Sequence, residues 1–356
     1  MSYTNDLDNP ELYFQVKTYA GNNSGSGQAI TFDGSENMQP DFVWVKCRDV
    51  GHSHTIYDSV RTSPAKNFLK SDDNIAERTV ALGSFDSNGV TFTNNDGFNN
   101  GSGNYVIWGW KAGTTGSGTT TGSGTGKAYS YSVNTTAGFS IVNYLGNQTA
   151  GHTIPHHLGA VPKFILVKRI DGVSNWHTYH GSAGATERFS LNETDPTDSD
   201  STAWNNTTPT SSVFTVGNSG TTNVNDAKTI AYCFAEKKGY SKFGTYTGGG
   251  SNFQFIYTGF KPSWIMIKRT SAGTTDRWVI IDNKRDSFNV SNTGLYADDP
   301  QAENSTTSEQ GLNILSNGFH IQNSNTKQNT SGSTYIFMAF AEAPFVNSNG
   351  VPCNAR

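Results

Sequence analysis

Three segments of this chain place a proline six residues before a lysine, with an apolar run between them: Pro40-Asp41-Phe42-Val43-Trp44-Val45-Lys46, Pro162-Lys163-Phe164-Ile165-Leu166-Val167-Lys168 and Pro262-Ser263-Trp264-Ile265-Met266-Ile267-Lys268. Other landmarks keep one order around them. Tyr-x-Gly lies upstream, as Tyr19-Ala20-Gly21, Tyr144-Leu145-Gly146 and Tyr246-Thr247-Gly248. Downstream come runs ending at Asp58, His180 and Asp282, then turns into strands at Ser87-Asn88-Gly89, Ser211-Ser212 and Ser316-Asn317-Gly318. Each copy closes on an aromatic, Trp110, Phe234 or Phe340, which stands 64, 66 or 72 residues after its lysine. A period of this size exceeds the usual solenoid repeats and suits a small β-sandwich of about 100 residues.

The local chemistry agrees with an all-β fold of three tandem β-sandwich repeats, jelly-roll or lectin-like. Candidate strands are short, rich in β-branched and aromatic residues, and bounded by Gly/Asn/Ser/Asp clusters. No apolar pattern of helical period reaches three turns, and the best short helix candidate is Pro64 to Leu69. Phe42 to Val45, Ile265 to Ile267 and Ile336 to Phe340 are apolar on both faces, which predicts central strands covered on two sides and units packed on one another. The expected layout is a polar N-terminal arm (1–12), repeat one (13–113), a flexible Gly/Ser/Thr linker (114–127), repeat two (128–238), repeat three (239–346) and a C-terminal tail (347–356). The arm is expected to order only on docking to a larger particle. The polar stretch Asn192 to Ser211 reads as a surface excursion.

Charged residues make up 15% of the 356, the formal net charge is −4, and no lysine/arginine run occurs. A nucleic-acid groove needs a basic stripe, so DNA or RNA binding is not expected. No apolar stretch has the length of a membrane helix, and the first residues lack the pattern of a signal peptide. Cys47, Cys233 and Cys353 are odd in number and far apart, which predicts structural thiols instead of a disulfide framework.

Catalytic signatures are scarce: the chain has no G-x-S-x-G, H-E-x-x-H, Walker or C-x-x-C pattern, and no enzymatic activity or cofactor is expected. Glu236 and Glu342 occupy matching places after two closing strands, which reads as a repeated structural role. His152, His156 and His157 are close enough to raise metal binding, but Pro155 interrupts them and no carboxylate or thiol completes a set. Asp195 to Asp200 alternates oxygen ligands loosely like a calcium loop, without its glycine and closing glutamate. No metal site is expected at either. Trp204 stands outside the strand pattern, in the long excursion, and is the candidate contact for a glycan or another partner. Trp176 and Tyr179 are expected in the core, because Trp278 and Ile281 match them.

Tyr13-Phe14-Gln15-Val16-Lys17-Thr18-Tyr19-Ala20-Gly21-Asn22, Gln39-Pro40-Asp41-Phe42-Val43-Trp44-Val45-Lys46, Tyr57-Asp58-Ser59-Val60-Arg61, Ser84-Phe85-Asp86-Ser87-Asn88-Gly89 and Trp108-Gly109-Trp110-Lys111-Ala112-Gly113 together resemble an uncharacterised repeat domain common in virion structural and tail proteins of marine bacteriophages. The resemblance implies a virion location, and it carries over no catalytic residue. It leads to the expectation of a tail-associated or fibre-like virion protein that presents β-sandwich modules for host attachment. A capsid decoration, cement or head-fibre protein and a glycan-binding lectin-like module are the alternatives. The partners expected are other virion proteins, further copies of the chain (a trimer favoured) and a host-surface glycan.

Overall fold

The computed structural model describes residues 6–355 apart from 24–26, 62–66, 80–81, 94–96, 102, 272–275, 305–308 and 310. The strands, in chain order, are β1 (Phe14–Ala20), β2 (Gln28–Ile30), β3 (Phe42–Cys47), β4 (Thr55–Asp58), β5 (Leu82–Asp86), β6 (Gly89–Phe92) and β7 (Asn104–Trp110). Then follow β8 (Thr114–Thr119), β9 (Thr121–Gly122), β10 (Ala128–Asn134), β11 (Phe139–Leu145), β12 (His152–Pro155), β13 (Phe164–Arg169), β14 (His177–His180), β15 (Glu187–Ser190), β16 (Asp198–Ser199), β17 (Val213–Val216) and β18 (Lys228–Phe234). The last group is β19 (Ser241–Thr247), β20 (Phe255–Tyr257), β21 (Phe260–Arg269), β22 (Val279–Asp282), β23 (Leu295–Tyr296), β24 (Leu312–Leu315), β25 (Gly318–Ile321) and β26 (Thr334–Pro344). Every pairing between these strands is antiparallel, and the protein is all-β.

Three large sheets share a core order: β1-β7-β3-β4, β11-β18-β13-β14 and β19-β26-β21-β22. Small sheets β2-β6-β5, β17-β12-β9 and β20-β25-β24 cover them. The four-stranded core order is the whole of the first large sheet, while β15, β16, β10 and β8 extend the second to eight strands and β23 extends the third to five. Alternation along the central strands decides what each face buries. On β3, Val43 and Val45 point into the first sandwich, as Ile165 and Val167 on β13 and Ile265 and Ile267 on β21 do in theirs. Their neighbours Phe42 and Trp44, Phe164 and Leu166, and Trp264 and Met266 point the other way, into one core shared by all three. The closing aromatics meet there. Ring centroids of Trp110, Phe234 and Phe340 lie 6.4, 5.8 and 5.4 Å apart around a triangle. Burying a side chain of that size contributes about 2–3 kcal/mol, so this shared face dominates cohesion between the sandwiches.

The Tyr-x-Gly landmarks have one physical cause. Tyr19, Tyr144 and Tyr246 donate their hydroxyls to the carbonyls of Phe98, Thr222 and Gln328, each at 2.6 Å. The loop so held passes over the glycine. A Cβ at Gly21, Gly146 or Gly248 would stand 2.1–2.2 Å from a backbone oxygen of that loop.

Three expectations need correction. The Gly/Ser/Thr tract after residue 113 is paired chain, not a flexible linker: β8 runs antiparallel to β10 and β9 to β12. Tyr131 and Tyr129 stand opposite Gly116 and Gly118 and cover them, so aromatic rings supply the packing that the glycines lack. The N-terminal arm, from Asp6 onward, is ordered against its own chain. Leu7 is buried, Asp6 exchanges hydrogen bonds with Lys238, and the Asp8 carboxylate holds Ser348 of the C-terminal tail. Of the short helix expected at Pro64 to Leu69, residues 64–66 lie outside the described residues, and Phe68 and Leu69 form isolated bridges to Arg78 and Ile56.

Candidate functional site

The chain spends its buried charge at the joints between sandwiches. Lys46, Lys168 and Lys268 are fully buried at the ends of central strands. Lys46 Nζ donates to Cys47 O (2.6 Å) and, in the third sandwich, Pro300 O (3.0 Å). Lys168 Nζ donates to Ser174 O (2.7 Å) and, in the first, Asn74 O (3.0 Å). Lys268 Nζ donates to Asp276 O and, in the second, Thr194 O (2.8 Å). The direction is cyclic. Burial pushes each ammonium down to about 8 from its ordinary value. Two residues beyond each lysine, a carbonyl receives a backbone N–H from the same neighbour: Glu303 to Arg48, Glu77 to Ile170 and Thr197 to Thr270, at 2.8–3.2 Å.

Side chains follow the same circuit. Asp58 accepts from the backbone N–H groups of Val60 and Arg61, from the Arg61 guanidinium and, across the joint, from the Tyr232 hydroxyl at 2.6 Å. Asp282 repeats this with Lys284 N, Arg285 N, the Arg285 guanidinium and the indole of Trp108 at 3.0 Å. In the second sandwich His180 takes the place of the aspartate and Ala183 that of the arginine. His180 Nδ1 accepts from Ser182 N at 3.1 Å, and Nε2 lies 3.3 Å from Phe337 O across the next joint. Burial holds this imidazole down at about 4, so it is neutral at pH 7.

The sequence candidates fall apart in space. Trp204, proposed as an exposed contact, is 1% exposed and stands edge-on to Tyr179 in the core of the second sandwich. The reason is topological: β17 has no hairpin partner like β5 on β6 or β24 on β25, and Ala203 and Trp204 of the excursion contribute to that core. Trp176 and Tyr179 are buried. His152 is held by Asn223 and Thr120, His156 by Thr210 O and Leu158 N, and His157 stacks on Tyr131 at 3.7 Å and meets the Tyr129 hydroxyl. Asp198 and Asp200 both pair with Arg188. Among the described residues no cluster of three or more ligating side chains could hold a metal ion. Cys47 and Cys233 are buried and Cys353 half-buried, all free thiols; burial raises the Cys233 thiol above its ordinary range. Glu236, just after β18, pairs with Lys242 on β19, and Glu342, within β26, pairs with Lys261 on the neighbouring β21.

The sandwich joints also leave clefts. One of about 240 Å³ lies between the first two, lined by Arg61, Glu77, Ser130, Asn143, Leu145 and Lys228. Its lining is more apolar than polar, with Tyr129, Tyr144 and Ile170 beside these polar groups, and it holds one carboxylate, which Arg61 engages at 3.5 Å. Acid–base glycoside chemistry would need a second carboxyl group facing it. A further cleft of about 280 Å³ is formed by Lys163, His180 and Glu236 with Lys242 and Phe243.

Sequence reasoning missed one set of residues. Asn99, Asn223 and Asn329 are fully buried, and each accepts the N–H that follows Tyr-x-Gly: Asn22, Asn147 and Gly249, at 2.8–2.9 Å. The signal was present, since each asparagine precedes its closing aromatic by eleven positions. A search of curated proteins found no match. The family model for a domain of unknown function, DUF7483, matches residues 9–344, nearly the whole chain and all three sandwiches in one span. The chain therefore belongs to the DUF7483 family.

Proposed function

We propose that this chain is a tandem triplication of one sandwich, closed into a ring, that works as a non-enzymatic structural module of a bacteriophage particle. The observation that carries the reading is the cyclic clamp of Lys46, Lys168 and Lys268, each bound to a carbonyl of a neighbouring sandwich. Lysines activated for chemistry face a cleft; these are sealed between sheets, where their hydrogen bonds join parts. Three sandwiches about one axis give a single chain the geometry that trimeric virion fibres build from three subunits. The resemblance of its motifs to those of marine phage virion proteins supports a virion location, and tail association with host-surface attachment is the role it favours.

A glycan contact, if the module makes one, moves from Trp204 to the cleft beside Ser130, Asn143 and Lys228, which has polar groups at the surface. Cryo-electron microscopy of particles carrying the protein tests the location. Density at the tail supports the proposal, density on the shell replaces it with capsid decoration, and absence from purified particles removes it.

A further inference from the structure

The second small sheet carries an added strand: β9 pairs with the outer edge of β12, Thr121 opposite Thr153 with hydroxyls 2.8 Å apart. In the third small sheet β20 holds the place of β12, since Ile256 faces Phe319 as Ile154 faces Phe214. No strand lies on the outer edge of β20 among the described residues. Ile321 N donates to Gln254 O at 2.9 Å and Thr258 N to Asn317 O at 3.0 Å, so the backbone groups of residues 254, 256 and 258 turn inward to β25. Those of Phe253, Phe255 and Tyr257 therefore turn outward. The side chains of these three are exposed, at 48, 48 and 60%. The opposite edge of the sheet is closed, because Ser291 pairs with Leu312 on β24.

Natural sheets blunt an open edge with a charge, a proline or a bulge. From Ser251 to Phe260 this chain has no charged residue and no proline. We infer that β20 is the docking edge for a second copy of this chain, paired β20 to β20, antiparallel, about a twofold axis through Phe255. In that register Phe255 lies opposite its own copy, and Phe253 of each chain lies opposite Tyr257 of the other. All three outward backbone positions are then paired, and three aromatic cross-strand pairs form along one face. A twofold axis sets like against like, which an uncharged strip tolerates and a charged one does not. The two small sheets become one six-stranded sheet, as β9 already extends the sheet at β12.

Sedimentation velocity of the full chain, from micromolar to millimolar concentration, tests this. The wild type is expected to pass from monomer to dimer. Phe255→Lys and Phe255→Glu, each alone, set like charges in contact on the axis and shift the transition at least about tenfold higher in concentration. An equimolar mixture of the two variants restores dimers. Because residue 255 is half exposed, circular dichroism of both variants should match the wild type and exclude misfolding. A wild type that stays monomeric throughout, a dimer indifferent to both substitutions, or a mixture that fails to associate overturns the inference. So does a monomeric wild type that captures a synthetic Gly/Thr-rich strand with the sequence of residues 114–122, since the edge would then serve a different occupant.

Discussion

Exchanging Asp58 and Arg61 for the histidine and alanine that stand in the second sandwich tests how the joints are held. Each residue is buried, and Asp58 accepts four hydrogen bonds, one from Tyr232 of the next sandwich. Asp58→His alone strands the guanidinium of Arg61 with only Glu77, 3.5 Å away, as a counter-charge, and should cost about 3–5 kcal/mol. Arg61→Ala alone leaves a buried carboxylate with three donors and opens a void, at a similar cost of about 3–4 kcal/mol. The double variant strands no charge. Its histidine can accept from Val60 N as His180 does from Ser182 N, and Ile56 O, released by Arg61, keeps its bond from Leu69 N. What remains is the void and one weakened contact to Tyr232, about 2–3 kcal/mol. Urea unfolding followed by tryptophan fluorescence should therefore give a coupling energy of about 3 kcal/mol or more. Costs that add to within about 0.5 kcal/mol would refute the reasoning, because they would mean that neither charge depends on the other.

Acid should destabilise the protein below about pH 6.5, the ordinary imidazole value. Burial lowers His156 and His180 to about 4 and His177 to about 3, so the unfolded chain binds more protons there and stability falls with pH. Asp298, raised by burial to about 6, works in the opposite direction with Asp41 and Asp72, which burial also raises, against six lowered imidazoles once His54, His152 and His157 are included; an unchanged urea midpoint between pH 7 and pH 4 would contradict this balance. Asn223→Ala should cost about 3 kcal/mol or more by taking the partner from Asn147 N, Gly217 O and His152 Nδ1, while exposed Asn225→Ala stays within about 0.5 kcal/mol in the same unfolding assay. Gly146→Ala should lower the melting temperature, since its Cβ would stand 2.2 Å from Val224 O; a calorimetric scan matching the wild type would refute the close approach. An aromatic disulfide reagent should label Cys353 in the native protein and Cys47 and Cys233 only on unfolding, which peptide mapping checks.

The strands were legible because their spacing is rigid: a fixed distance from proline to lysine follows from a strand whose register must carry the lysine side chain to a set place. What that lysine does was not legible. Its second carbonyl partner lies in another sandwich, so nothing adjacent in sequence marks Lys168 as buried beneath Asn74. Trp204 misled for a related reason. A position outside the strand pattern lacks a β neighbour, which says nothing of its exposure, and a long excursion can fold back over a sheet short of a strand. The tract 114–126 misled because glycine and threonine show no apolar alternation; its order comes from backbone pairing and from tyrosines one strand away. The open edge of β20 was invisible in sequence, since an aromatic there and one in a core look alike until both sides of the strand are known.

The triangle of Trp110, Phe234 and Phe340 bears on how the chain is made. Its third corner is synthesised last, more than two hundred residues after the first. Until then the two finished sheets on the ribosome cover each other only in part, and the side of the core that the third closes stays open. Chaperone dependence, and aggregation of chains stopped before residue 340, follow from that order of arrival.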